Sequence, residues 1–372
     1  MRLTSLTLEH FRSYERLKVS FSELDHQLFV GSNGEGKTNI IEALSYLSMG
    51  RSCLRSQGDD TVRWGEDFFR IRADLHADDG ELSSVEYVWQ RIPRRQSAMF
   101  VRDVRTPLLN FIGVLPTIIF LPQDLDLFTG SPSARRGFLD ALLSQLKPDF
   151  VAHRIEYERI LKQRNAVLSR IADGEANETE LELWDDQIVH TAAQLTRHRD
   201  EIITLFNRSL VATLTSLGEG EWKNARMVHD RKTRATDVPA IEAELKQLLV
   251  QNRDRDLILQ TTSVGPHRDD WHLEATGRNI ALFASRGQQR AALLGLLLTS
   301  AELFQEVRRE RPVILLDDVL SELDEYHQSA LLQSLSGHQV LITSTHDVPI
   351  EEQVTQWRVQ RGNVEIVTAI AR

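Results

Sequence analysis

The stretch "GSNGEGKT", residues 31–38, lies between an apolar run, "QLFV" (27–30), and a segment of helical character that begins "TNIIEAL". It satisfies the spacing G-x-x-x-x-G-K-[ST] in the strand–loop–helix setting which that spacing requires. Gly31, Gly34 and Gly36 let the backbone bend around an anion, so that N–H groups from Ser32, Asn33 and Glu35 converge on phosphate oxygens. Lys37 supplies a cation for β- and γ-phosphates, and Thr38 a hydroxyl ligand for Mg²⁺, with Asn39 beside it in the first helical turn. The expected ligand is ATP with Mg²⁺, and the expected fold class is α/β.

Working outward, three other apolar runs end in polar residues. "VILLDD" (313–318) reads as a buried strand that delivers two acids at its tip. Asp317 is expected to hold Mg²⁺, and Asp318 to polarise an attacking water. "FLPQDL" (120–125) puts Gln123 just beyond a strand, where it can sense Mg²⁺ and the water. "ITSTHD" (342–347) does the same for His346, a hydrogen-bond donor to the γ-phosphate. A further signal is "SRGQQR" (285–290), the polar mouth of a helix that is otherwise hydrophobic. Ser285 is a helix cap, and Gly287 and Gln288 leave the helix terminus open to an anion.

The remaining pattern places these motifs in a larger plan. Alternating residues near the start, "FFRIRADLHA" (68–77) and "SSVEYVWQRI" (83–92) read as strands. From Pro148 to Leu217 apolar residues recur at helical spacing, broken only by "DGEANE" (173–178). That is two antiparallel helices, either as a short coiled hairpin with arms of roughly 30–45 Å or as an ordinary helical subdomain. Residues 218–237 read as a polar loop. The expected organisation is a discontinuous head, 1–147 and 218–372, with a helical arm at 148–217.

The 372 residues carry a net charge of -10, from 44 basic and 54 acidic side chains. That excludes a general basic coat for nucleic acid and leaves local patches. Arg91, Arg94, Arg95, Arg102 and Arg105 crowd one stretch with only Asp103 opposing, and Arg51 with Arg55 forms a smaller cluster. These are the candidate DNA contacts, doubled in a dimer. The lone cysteine, Cys53, excludes an intrachain disulfide. No leader or membrane span is expected, and the cytoplasm is the expected location.

The order of phosphate loop, serine–glycine turn, long helix and acidic strand is similar to that of ABC-type ATPases. More specifically, the chain resembles the RecF family of recombination mediators, relatives of the SMC ATPases. The resemblance runs nearly end to end, through "HFRSY" (10–14), the phosphate loop, "PQDLDLFTGSPSARRGFLD" (122–140), "GPHRDD" (265–270), "SRGQQRAAL" (285–293) and "LLDDVLSELD" (315–324). It implies an ABC/SMC-type P-loop ATPase head with a smaller, mainly helical second lobe. It also implies an ATP-dependent homodimer in which Ser285 and Gly287 of one copy cap the γ-phosphate bound by the other, with "SELD" (321–324) along the same interface. Arg12 is implied as a phosphate contact. DNA at gaps and single/double-strand junctions, RecR and RecO as partners, RecA loading, the SOS response and weak, DNA-stimulated ATP hydrolysis follow from the same resemblance. Arg135 and Arg136 are expected to brace the lobes or the nucleotide pocket. A transporter ATPase is disfavoured by "SPSARRGFLD", and an SMC-type chromosome organiser by the short arm.

Overall fold

Apolar alternation at the N-terminus forms β1 (Arg2–Phe11), paired antiparallel with β2 (Tyr14–Ser20) so that Leu6 faces Val19 and Leu8 faces Leu17. β3 (His26–Val30) is buried along its first four residues and leads into the phosphate loop. β4 (Phe68–His76), β5 (Leu82–Gln90), β6 (Gln96–Val101) and β7 (Val104–Arg105) complete an antiparallel sheet of order β2-β1-β4-β5-β6-β7. β8 (Thr117–Phe120) begins the nucleotide side of the head. The polar stretch read as a loop instead contains β9 (Arg226–Asp230), which pairs with β10 (Asp270–Ala275) and through it with β11 (Arg278–Asn279). Its single buried side chain, Met227, gives too little alternation for the strand to show in sequence. Finally β12 (Val313–Asp317), β13 (Val340–Ser344), β14 (Val354–Gln360) and β15 (Asn363–Ile370) join β3 and β8 in a sheet of order β15-β14-β3-β13-β12-β8.

In this computed structural model, residues 1–218, 222–323, 325–346 and 354–370 are described. Contacts divide the chain into two units: Met1–Asp126 with Ala212–Glu221 and Ser285–Arg372, and Leu127–Val211 with Trp222–Ala284. In the first, the helix Lys37–Met49 lies in a core shared by both sheets. Ile40, Leu44 and Leu47 pack in one cluster with Leu3 and Phe69 on one side and Leu315 and Leu341 on the other. A helix with apolar residues on every side needs such a two-sided core.

The second unit is larger than the hairpin expected from periodicity. Besides Pro148–Ala172 and most of Thr179–Ser216, it includes the helices Pro132–Leu146, Val238–Gln251 and Arg253–Leu259, and the three-stranded sheet. The helix Thr179–Ser216, with 38 residues, is about 57 Å long and exceeds the expected arm. A buried ionic knot explains the additional members. Arg164, fully buried between apolar turns, donates to Asp185 at 2.7 Å, Asp256 at 2.8 Å and Thr262 at 2.9 Å, so residues beyond 217 must fold against the hairpin.

Candidate functional site

Strand register brings the scattered motifs to one edge. β3, β13, β12 and β8 run parallel, with Leu28 beside Ile342, Ile342 beside Leu316, and Leu316 beside Phe120. The residues that follow, in the phosphate loop, at Asp317 and Asp318, at Thr343 to His346 and at Gln123, all leave the carboxyl ends of these strands. That is where ligands bind in open parallel sheets.

A cavity of about 160 Å³ opens there, lined by Asn33, Gly34 and the run Gly36 to Asn39 of the loop, with Asp317, Asp318, Thr343 and Thr345. Gly36, at φ 108°, holds the turn into the helix, and a Cβ there would meet the Ser13 hydroxyl at 2.7 Å. At Gly31 a Cβ would lie 2.3 Å from the Val359 carbonyl oxygen, so no side chain fits. Lys37 donates to the carbonyls of Gly31 and Ser32, at 2.7 and 2.9 Å, and thereby closes the loop on itself. Burial lowers the pKa of its ammonium, against the pull of Asp318 and Asp317. Tyr14 donates to the Gly36 carbonyl at 3.0 Å, and Asn39 donates to Ser13 at 3.0 Å. Glu35 turns away and accepts from the Arg361 backbone N–H.

The acidic tip is held from two strands. Asp317 accepts from Thr38 at 3.0 Å and from Thr343 at 2.6 Å. Burial raises its pKa, and these two hydroxyls pull it back. Asp318 adopts φ 50°, with its N–H donating to the Thr343 backbone and side-chain oxygens. Its Oδ1 is buried and has no hydrogen-bond partner among the described residues. Thr343 was not singled out in the sequence, although a hydroxyl at the tip of an apolar run, "ITST", is the signal that marks it.

Other expected residues are placed differently. Gln123 and His346 stand beyond the ends of β8 and β13, the strands on either side of β12, exposed, and neither lines the cavity. Arg12 also lies outside the cavity lining: it donates to Glu42 through Nε and Nη2, at 2.7 and 2.8 Å, to Ser56 at 2.6 Å and to the Asp60 carbonyl at 2.8 Å. Glu42 is fully buried on the phosphate-loop helix, and a buried carboxylate requires such a partner. Ser285 caps the helix Arg286–Arg308 in a reciprocal box with Gln288: its hydroxyl accepts from the Gln288 N–H at 3.2 Å, and the Gln288 side chain accepts from the Ser285 N–H at 3.0 Å. Ser285 and Gly287 are exposed, whereas Ala291 to Ala301 are buried behind them. Within "SELD", Asp324 lies outside the described residues.

The arginine cluster is not one patch. Arg91, Arg94 and Arg95 stand at one end of β6, and Arg102 and Arg105 at the other, about 20 Å away over six residues. Nor is Asp103 their counter-charge. It pairs with Arg72, while Asp59 takes Arg91 and Arg95 at 3.0 and 2.9 Å and Glu81 takes Arg102 at 2.6 Å. Residues close in sequence are separated by the extended strand, and acids distant in sequence fold beside them. Arg135 forms a two-pronged pair with Asp270, at 2.8 and 2.7 Å, and Arg136 donates to the Asp269 carbonyl. Both therefore brace the interior of the second unit. "GPHRDD" belongs to the same scaffold, with His267 hydrogen-bonded between Tyr157 and the Thr262 carbonyl.

Two curated relatives, both described as DNA replication and repair protein RecF, match almost the whole length. The protein from Heliobacterium modesticaldum is 34% identical over 93% of each chain, and that from Lachnoclostridium phytofermentans 32% identical over 98% of this chain and 99% of its own. The chain belongs to the RecF family. Residues 5–261 also match the model of the AAA domain. A solved structure of the recombination mediator RecF with ATPrS, in the RecFOR pathway, superposes with a TM-score of 0.90 at 27% identity, covering 99% of this chain and 98% of that one. An SMC head bound to the C-terminal winged-helix domain of ScpA superposes with a TM-score of 0.58 at 14% identity and shares the fold. The RecF assignment makes this an ATPase head of ABC/SMC type from a family of DNA replication and repair. No described helix is long and apolar enough to cross a membrane.

Proposed function

We propose that this chain is an ATP-gated DNA clamp of recombinational repair. ATP lies on the phosphate loop with its β- and γ-phosphates against Lys37. Two heads close around two nucleotides, and DNA is held at gaps and single/double-strand junctions by surfaces that align only in the dimer. Slow, DNA-stimulated hydrolysis reopens the clamp. The observation that carries this reading is the convergence of the Thr38 hydroxyl, the Asp317 carboxylate and the unpartnered Oδ1 of Asp318 in one cavity beside Lys37. Thr38 and Asp317 are hard oxygen donors suited to Mg²⁺, which would neutralise phosphate charge there. Asp318 orients the attacking water. Gln123 and His346 are assigned to approach the ion and the γ-phosphate from the neighbouring strand tips.

Ser285, Gly287 and Gln288 are assigned to the γ-phosphate held by the second copy. Support comes from the exposure of Ser285 and Gly287 at a helix N-terminus, whose positive dipole end favours an anion. The arginines at both ends of β6 are the proposed phosphate-backbone contacts. RecR and RecO are the expected partners in RecA loading, supported by the likeness to a mediator solved in the RecFOR pathway. The test is binding to a gapped duplex by fluorescence anisotropy, with and without ATP. Lys37→Met should lose ATP binding, and Ser285→Arg should keep ATP but lose ATP-driven dimers and DNA binding. Equal, ATP-independent DNA binding by wild type and Ser285→Arg would refute the two-copy site.

A further inference from the structure

A second cavity lies in the first unit, away from the phosphate loop. Its volume is about 320 Å³, twice that of the nucleotide-loop cavity, and it is an open depression bordered by the end of the phosphate-loop helix, the segment after it, and β5 and β6. The two arginine clusters meet here within one copy of the chain: Arg51 comes from the first and Arg95 from the second. We infer that this cavity binds a single phosphorylated nucleotide, either free or at the end of a DNA strand.

The chemistry of the lining makes the choice. Two arginines line it, Arg51 and Arg95, and no acidic residue does. Asp59, which fixes Arg95 at 2.9 Å, stays outside the lining, and an ion pair so exposed is weak enough to yield to a phosphate. Guanidinium forks match phosphate oxygens in geometry as well as in charge. The neutral polar groups are poised as donors. Ser56 accepts from Arg12, so its own O–H remains to be given. Gln96 turns its carbonyl oxygen to Arg94 at 3.1 Å, which leaves its NH₂. The inner wall is aromatic: Tyr87 and Trp89 stack against Phe69 at 5.9 and 6.0 Å and present apolar surface to a sugar or base. The volume suits one nucleotide.

The wall is also connected to the phosphate loop. Ser52 donates to Glu42 at 2.6 Å, and Arg12 joins Glu42 to Ser56. Glu42 is on the helix that begins at Lys37. A ligand that draws on Ser56 therefore pulls on the partner of a carboxylate anchored to that helix.

The strand-end source rests on the DNA reading above, and the free nucleotide does not. The experiment uses the full chain with ATP held just at the level that fills the phosphate loop, because excess ATP is itself a phosphorylated nucleotide and would compete for the second cavity. Gapped duplexes bearing a 5′-phosphate, a 3′-phosphate or only hydroxyls at the gap are compared by anisotropy, and free deoxyadenosine monophosphate is titrated as ligand and as competitor. Wild type should prefer one phosphorylated gap by about tenfold, or bind the free nucleotide. Arg51→Ala and Ser97→Phe, which fills the cavity while keeping both arginines, should abolish that preference. Arg105→Ala, at the far end of β6, should weaken all duplexes alike and leave the preference intact. Wild type that binds gapped DNA without regard to terminal phosphate, and ignores the mononucleotide, overturns this inference and leaves the clamp standing. Binding of the mononucleotide without any DNA binding overturns the clamp and leaves this site standing.

Discussion

Asp318 combines a left-handed backbone, φ 50°, with a buried carboxylate oxygen that has no described partner. Aspartate and asparagine tolerate that conformation because their short side chains can bond locally, and glutamate does so less readily. The backbone of this chain therefore supplies a reason for aspartate rather than glutamate at this position. Asp318→Asn should fold normally, bind ATP and lose roughly a hundredfold in steady-state hydrolysis. Asp318→Glu should lower stability by about 1 kcal/mol, read by denaturant unfolding. A fully active Asp318→Asn would remove the residue from the chemistry. Asp124 gives a pH test. Burial raises its carboxyl to about 6, although it accepts from the Leu121 N–H at 2.8 Å. The folded value is above the unfolded one, so the stability it contributes is whole below about pH 4 and is lost as pH rises through the folded value. Asp124→Asn should therefore gain melting temperature over wild type between about pH 4 and 7, with a plateau above; a gain that shrinks with rising pH would contradict the assignment. At this scale the sequence was legible wherever a motif fixes the spacing, as at Lys37, Thr38 and Asp317. It offered Arg12 only as a phosphate contact, because the partner that engages it, Glu42, is selected by burial 30 residues away.

The helix Arg286–Arg308 holds a glycine in its buried body. Gly295 costs about 1 kcal/mol in helix propensity, so packing must require it. A Cβ there would stand 2.6 Å from the Leu214 side chain, itself fully buried. Gly295→Val should destabilise the head by about 1–3 kcal/mol, visible as a lower midpoint in denaturant, and unchanged stability would show that Leu214 can yield. Elements with a strong period were readable from residues alone: β3, the phosphate-loop helix, and the long helices broken at 173–178. β9 was not, because its pairing with β10 supplies what its composition lacks. The β14–β15 hairpin escaped notice too, although alternating residues around "RG" (361–362) mark a turn.

Over the whole molecule, an acidic chain of net charge -10 is assigned to DNA. Local placement reconciles the two, since the candidate phosphate contacts are confined to the ends of one strand and to one cavity. Composition could exclude a basic coat, but only folding showed that Arg51 and Arg95 share a space. The boundaries of the two units were not legible, because Arg164 draws Asp256 and Thr262 into the second unit. The order of strands in the nucleotide sheet has one more consequence. β3 and β8 come from the first 120 residues, and β12 and β13, which lie between them, come after residue 312. On the ribosome, β3 and β8 therefore emerge long before the strands that pair with them exist. The second unit, whose segments end at Ala284, can be complete while the nucleotide sheet is still two separate strands. Each new copy thus spends most of its synthesis as a half-built sheet. Any stop codon before β12 yields a phosphate loop with no acid to face it.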